Sequence, residues 1–136
     1  MGAFDGLRVS GSALRAERTR MDVIAENIAN VETTRTAAGG PYRRRQVVLR
    51  AEQVGEETTS CTGVRVATVE TDDGPLMRVY NPGHPDADGE GYVELPNVDL
   101  PTEMADMVLA ARAYEANAAA LRSGREMIQS ALSILA

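Results

Sequence analysis

The side chains best suited to chemistry are few and scattered. Cys61 and His84 are the only cysteine and histidine, and so the only conceivable thiol nucleophile and imidazole base. No third residue and no oxyanion-forming motif accompanies them, which leaves acyl transfer without a footing. Asp86 and Asp88 follow His84 closely enough to suggest a weak cation site, but His84 lies between Gly83 and Pro85 in a turn-rich stretch that reads as a structural loop. No acidic residue stands in a nucleophile or phosphate-loop motif, so neither catalysis nor a cofactor is expected.

Arg43, Arg44, Arg45 and Arg50 form the densest basic group. All 14 basic residues are Arg, against 20 acidic ones, for a net charge of -6. Nucleic-acid binding relies on a basic surface that releases counterions, so this balance argues against it. From Val79 to Ala111 there are seven acidic residues and no Arg, which makes ion pairs between the two groups, within or between subunits, the expected use of both.

The chain that must position these groups has 136 residues, room for one unit only. With no Trp, one Phe and four Tyr, its core should be aliphatic and lean. One cysteine rules out an internal disulfide. Charged residues from Asp5 onward interrupt any signal-peptide core, so no cleaved signal is expected, and no apolar run approaches a membrane span. Composition alone would place such a chain in the cytoplasm.

Leu7, Leu14, Met21 and Ile28 recur every seven residues, with Ile24 and Val31 three residues after the last two. Ser10 and Glu17 interrupt the matching earlier positions. This predicts a helix over 4–30, ending before the Thr33, Thr34, Thr36, Gly39, Gly40, Pro41 stretch. Leu100, Met107, Tyr114, Leu121, Ile128 and Leu135 repeat at seven without a break, and Met104, Ala111, Ala118, Arg125 and Leu132 widen that stripe. A second helix is predicted from Leu100 to the chain end, capped by Asp99, with Pro101 in its first turn and Glu103 complementing its dipole.

Between the helices, Val64–Val69 and Leu76–Tyr80 flank the turn residues Asp72, Asp73, Gly74 and Pro75 and predict a β-hairpin. Arg43–Ala51 and Tyr92–Leu95 read as further strands. The expected fold class is α+β: two long terminal α-helices packing as a coiled-coil-like pair (1–34 and 99–136), with a small β-rich domain (35–98) between them.

A β-rich module this small cannot cover both stripes, so other chains are expected to complete the packing. The alanine-rich stretch over 110–120 permits close helix approach, although alanine's helix propensity would explain it equally. Asn27 and Asn117 are expected at contacts that fix register. Asn30 fits either such a contact or a left-handed helix terminus.

The segment Ser10–Thr33, with Asn27-Ile-Ala-Asn30 near its end, resembles the N-terminal motif of flagellar rod, hook and hook-associated proteins. Gly39-Gly-Pro-Tyr-Arg-Arg44, Tyr80-Asn-Pro-Gly-His-Pro-Asp-Ala87, Gly91-Tyr-Val-Glu-Leu-Pro-Asn-Val-Asp-Leu100, Glu103-Met-Ala-Asp-Met107 and Ala111-Arg-Ala-Tyr-Glu-Ala-Asn117 are similar to blocks of a short rod-protein family within that group. The match is weakest over 53–73. Another rod or hook-junction subunit would share the first motif but differ in length and middle module.

The resemblance implies a structural subunit of the proximal rod, exported by the flagellar type III apparatus and resident in the basal body, which overrules the cytoplasmic expectation. It also implies as partners copies of the chain, other rod subunits, ring or adaptor proteins at the rod base and the export apparatus, with no membrane insertion.

Overall fold

The computed structural model describes residues 3–54 and 61–135, without the side chains of Ala3 and Leu135. Helix α1 (Ala3–Ala29) is followed by strands β1 (Arg45–Val54), β2 (Cys61–Thr71), β3 (Met77–Tyr80) and β4 (Tyr92–Leu95), and helix α2 (Leu100–Leu135) ends the chain. This is the α+β arrangement of two terminal helices around a small β region.

α1 breaks at Asn30 through its own side chain. The Asn30 amide donates to the Glu26 carbonyl at 2.8 Å, and its Oδ1 accepts from the Thr33 hydroxyl at 3.0 Å. Its backbone is not left-handed, since only Gly39, Gly40 and Gly91 have positive φ among the described residues. α2 starts where expected: Asp99 accepts from the Thr102 amide at 3.2 Å and also from the Thr102 hydroxyl, an N-cap that satisfies a donor the first turn leaves open.

The strands pair differently from the sequence expectation. β2 is antiparallel to β1, with an irregularity between Val48 and Leu49, and β3 is antiparallel to β4. The Asp72–Pro75 stretch therefore does not close a hairpin between β2 and β3; it joins two separate two-stranded sheets. Its turn residues are used elsewhere, Asp72 accepting from the Gly74 amide at 2.8 Å within the loop. β1 also begins later than expected, at Arg45, because Arg43 and Arg44 are drawn toward other elements.

The β1–β2 ribbon lies along α1. Ser12 of α1 accepts from the Val64 amide at 3.1 Å, and Gly63 passes so close that a Cβ there would stand 2.6 Å from the Ser12 Oγ. On another side α1 packs against α2, running the opposite way: Asn27 meets Glu103 near one end, while Leu7 lies over Gly124 toward the other. Ala16, Val23, Ile24, Tyr42, Cys61, Val93, Val98 and Ala110 form the buried apolar core, small and nearly free of aromatics.

Candidate assembly site

The most enclosed polar groups gather where α1 ends, β1 begins and α2 starts. Asn27 and Glu103 are each 1% exposed, and Tyr42 is buried beside them. Asn27 Oδ1 accepts from the Tyr42 hydroxyl and from the Arg45 backbone amide, both at 2.9 Å. Its Nδ2 donates to the Arg45 carbonyl at 2.8 Å and to Glu103 Oε2 at 3.0 Å. A carboxamide has two donor hydrogens and two acceptor lone pairs, and all four are used. Toward Arg45 the side chain pairs as a neighbouring strand would, with one N–H and one C=O.

Glu103 is held from its other oxygen by Arg44 Nε at 2.6 Å, and Arg44 also reaches Asp106 at 3.7 Å. The Glu103 hydrogen bond holds the Arg44 guanidinium above its already high ordinary pKa, against the opposing effect of burial. Burial pushes the Tyr42 phenol up, and the negative charge of Glu26 adds to this. Asn97, just before α2, accepts from the Arg44 amide at 2.8 Å and donates to the Asp72 carbonyl at 3.1 Å. Arg43 donates to the Gly74 carbonyl, and Arg45 pairs with Glu26. One junction thus ties both helices to the start of β1 and to the β2–β3 loop.

The residues named from sequence separate into three environments. Ile24 and Asn27 are buried within the chain. Leu7, Leu14, Met21, Ile28, Asn30, Met107, Asn117, Leu121 and Ile128 are half-buried, and Asn117 spends its amide on the Ala113 carbonyl at 2.9 Å. Met104, Tyr114 and Leu132 are exposed. The Leu135 side chain lies outside those described.

Sequence reasoning overlooked three things. Tyr42 and Asn97 gave no periodic signal, although each sits in one of the motif blocks. Glu103 stands out in the sequence as a dipole partner and as the start of a motif block, but not as a buried group. Leu109, Met127 and Ile134, at 62%, 69% and 83% exposure, define a further face of α2. With Ala113, Ala116, Ala120, Ser123 and Ser130 they follow an alternating four-and-three spacing that contains no charge. Hydropathy at those spacings was legible, but the alanines and serines mask it.

Glu17 is a local misfit in the helical pair. Its side chain is 14% exposed, Arg20 stands 3.8 Å away, and Oε2 has no hydrogen-bond partner among the described residues. Elsewhere, His84 Nδ1 accepts from the Asp86 amide, and Asp86 accepts from Thr34 and pairs with Arg35. Among the described residues no group of three or more His, Cys, Asp and Glu side chains is placed to hold a metal ion.

Two family models match the chain: the flagella basal body rod protein over residues 7–35, and the flagellar basal body rod FlgEFG protein C-terminal region over 90–134. Flagellar basal-body rod protein FlgC of Borreliella burgdorferi is 46% identical, covering 99% of both chains. The chain belongs to the FlgC family of flagellar basal-body rod proteins. FlgC of Bacillus subtilis is 41% identical over 98% of this chain and 99% of its own, and that of Salmonella typhimurium 39% over 93% and 92%. This is a family of structural proteins and not of enzymes. The matched segments contain most of both helices and the polar junction's Asn27, Asn97 and Glu103. No helix among the described residues is long and apolar enough to cross a membrane.

Proposed function

We propose that this chain is a subunit of the proximal rod, assembled through its terminal helices, 1–34 and 99–136, and carrying the 35–98 module between them. The observation that carries the packing is the charge-free outer face of α2 from Leu109 to Ile134. Over 25 steps of ~1.5 Å it runs for roughly 37 Å, and all of its residues but the half-buried Ala113 stand exposed among the described residues. Neighbouring rod subunits and further copies are its occupants, with ring or adaptor proteins at the rod base. In that position the subunit transmits torque along the rod.

Export by the flagellar type III apparatus fits the same molecule. A chain with one cysteine and a small aliphatic core is readily kept unfolded, and helices that bury further apolar surface against neighbours are stabilised more strongly on assembly.

The test is complementation of a gene deletion with Met127→Asp. Rods should fail to form and motility be lost, while the variant is still exported and the purified chain keeps its helical circular dichroism. Leu121→Asp, on the half-buried stripe, should also block the rod. Normal motility with Met127→Asp refutes assembly through this face.

A further inference from the structure

Of the five aromatic residues only Tyr42 is buried; Phe4 and Tyr80 are each 64% exposed, and Tyr92 and Tyr114 38%. Large rings left in water by so lean a core are the usual anchors of protein interfaces. Tyr80 and Tyr92 face each other across β3–β4, edge to face with centroids 5.3 Å apart. The Arg78 guanidinium lies 4.9 Å from the Tyr92 ring centre, so this surface already accepts a cation over an aromatic face. Beside it a groove of about 480 Å³ runs between the β4 side and the Thr34–Pro41 segment, lined by Asp86, Asp88, Glu94, Tyr92 and Arg35. Arg35 pairs with Asp86 and Arg78 with Asp88, so the excess negative charge of this surface comes from Glu90 and Glu94. Glu90 and Glu94 make no ion pair among the described residues.

A surface of opposite character lies on α1. Phe4, Arg8, Gly11, Arg15 and Arg18 follow one another at intervals of four, three, four and three, and so share one side of the helix. Phe4 and all three arginines are exposed, and none of the three pairs with a carboxylate among the described residues. Arg20, Arg35, Arg44, Arg45, Arg65, Arg78 and Arg112 all do.

The two surfaces cannot meet within one chain. The hairpin loop is tied to the chain just beyond the C-terminal end of α1 by Asp86 with Thr34 and Arg35, whereas the arginine stripe starts at the other end of a 27-residue helix, roughly 40 Å long. We propose that successive copies of this chain contact one another head to tail, the Phe4–Arg18 stripe of one seated on the Tyr80–Tyr92 face and acidic groove of the next. The proposal rests on the reading of the chain as a rod subunit and names one contact within it. Because the two faces differ, the contact is heterologous: each added copy leaves a free face and the row does not close as a symmetric pair would. Opposite charge orients the approach, and the rings supply the anchors.

The test places a photo-reactive phenylalanine analogue at Tyr80 of the full-length chain in cells, followed by isolation of basal bodies. Irradiation should give a product of twice the chain mass, with the link mapping to the Phe4–Arg18 segment. Arg8→Glu with Arg15→Glu should lower its yield at least about tenfold, and so should Glu90→Arg with Glu94→Arg, since like charges then face each other. All four substitutions in one chain should restore it, which a merely misfolded variant would not do. A chain present in basal bodies whose Tyr80 position links only to another protein, or to nothing, overturns the head-to-tail contact and leaves the rod reading standing. Absence of the chain from basal bodies removes both.

Discussion

The two ends of the helical pair are stabilised by different physics. At the junction, Asn27, Tyr42 and Glu103 are almost sealed from water and every polar atom of Asn27 has a partner of defined geometry. At the far end, Leu7 and Ile128 are half-buried, and Met127 and Ile134 stand largely in solvent. Hydrogen bonds are directional and costly to leave unmade, so the junction admits one arrangement of helices and strands. Apolar contact is non-directional and scales with area, so the far end gains from any well-fitting neighbour. A chain built this way carries its own shape at one end and leaves apolar surface open at the other.

The comparison breaks most severely at Asn27. Asn27→Asp preserves volume but turns two donors into acceptors, setting a carboxylate against Glu103 and the Arg45 carbonyl. Uncompensated buried charge of this kind costs about 3 kcal/mol or more, and urea denaturation of the purified chain should show it. A loss below about 1 kcal/mol would mean that the junction is an incidental cluster and not what sets the helix geometry.

The next effect belongs to the ribbon. Gly63→Val would bring a Cβ to 2.5 Å from Val54 Cγ2 and 2.6 Å from Ser12 Oγ. Ser12 cannot simply turn away, because its hydroxyl donates to the Val9 carbonyl and accepts from the Val64 amide. The ribbon must lift from α1, at about 2 kcal/mol. Hydrogen exchange should quicken in β2 while amides around Asn27 and Glu103 keep their protection. Uniform loss of protection would show that the two ends are not separate after all.

These sites differ in how much of them the sequence carries. Helix extents are legible because seven-residue spacing is a local, repeated signal: α1 and α2 agree with it to within a residue or two at their described ends. Strand pairing is not, since Asp72, Asp73, Gly74 and Pro75 favour a turn wherever they occur and cannot say which strands flank it. The junction is half legible. Asn27 stands out as a polar residue on an otherwise apolar helix side, but its bond to Glu103 spans 76 positions in sequence, and no periodicity links residues so far apart. Tyr42 and Asn97 come into view only through the motif blocks.

A gain in stability is expected on the apolar side of the comparison. Glu17 interrupts the line of Ile24 and Val31 that runs beside Leu7, Leu14, Met21 and Ile28, and one of its oxygens is buried without a hydrogen bond among the described residues. Glu17→Leu removes that desolvated group and extends the apolar contact, and should stabilise the isolated chain by about 1 kcal/mol in thermal or urea unfolding. Destabilisation would show that Arg20, at 3.8 Å, supports the carboxylate more than its geometry indicates.

The smallest effect is local to the hairpin on the polar end. Asp88 accepts from the Tyr92 and Glu90 amides, both at 2.9 Å, and from Arg78 at 2.8 Å. The Tyr92 amide is the leading cause that holds its carboxyl below the usual range, with the Glu90 amide and Arg78 acting in the same direction. A depressed folded value means that the charged form is the one the fold favours. Its contribution is complete above the ordinary aspartate value of about 3.9 and is lost as pH falls through the lower folded value. The Tyr92 amide resonance, followed by NMR during acidification, should therefore move with a midpoint below about 3.9. Asp88→Asn should abolish that titration step while β3–β4 stays paired. A midpoint at or above the ordinary value would mean that the carboxylate is not held by these amides in solution, and that the aromatic face of the hairpin is set by Tyr80–Tyr92 packing alone.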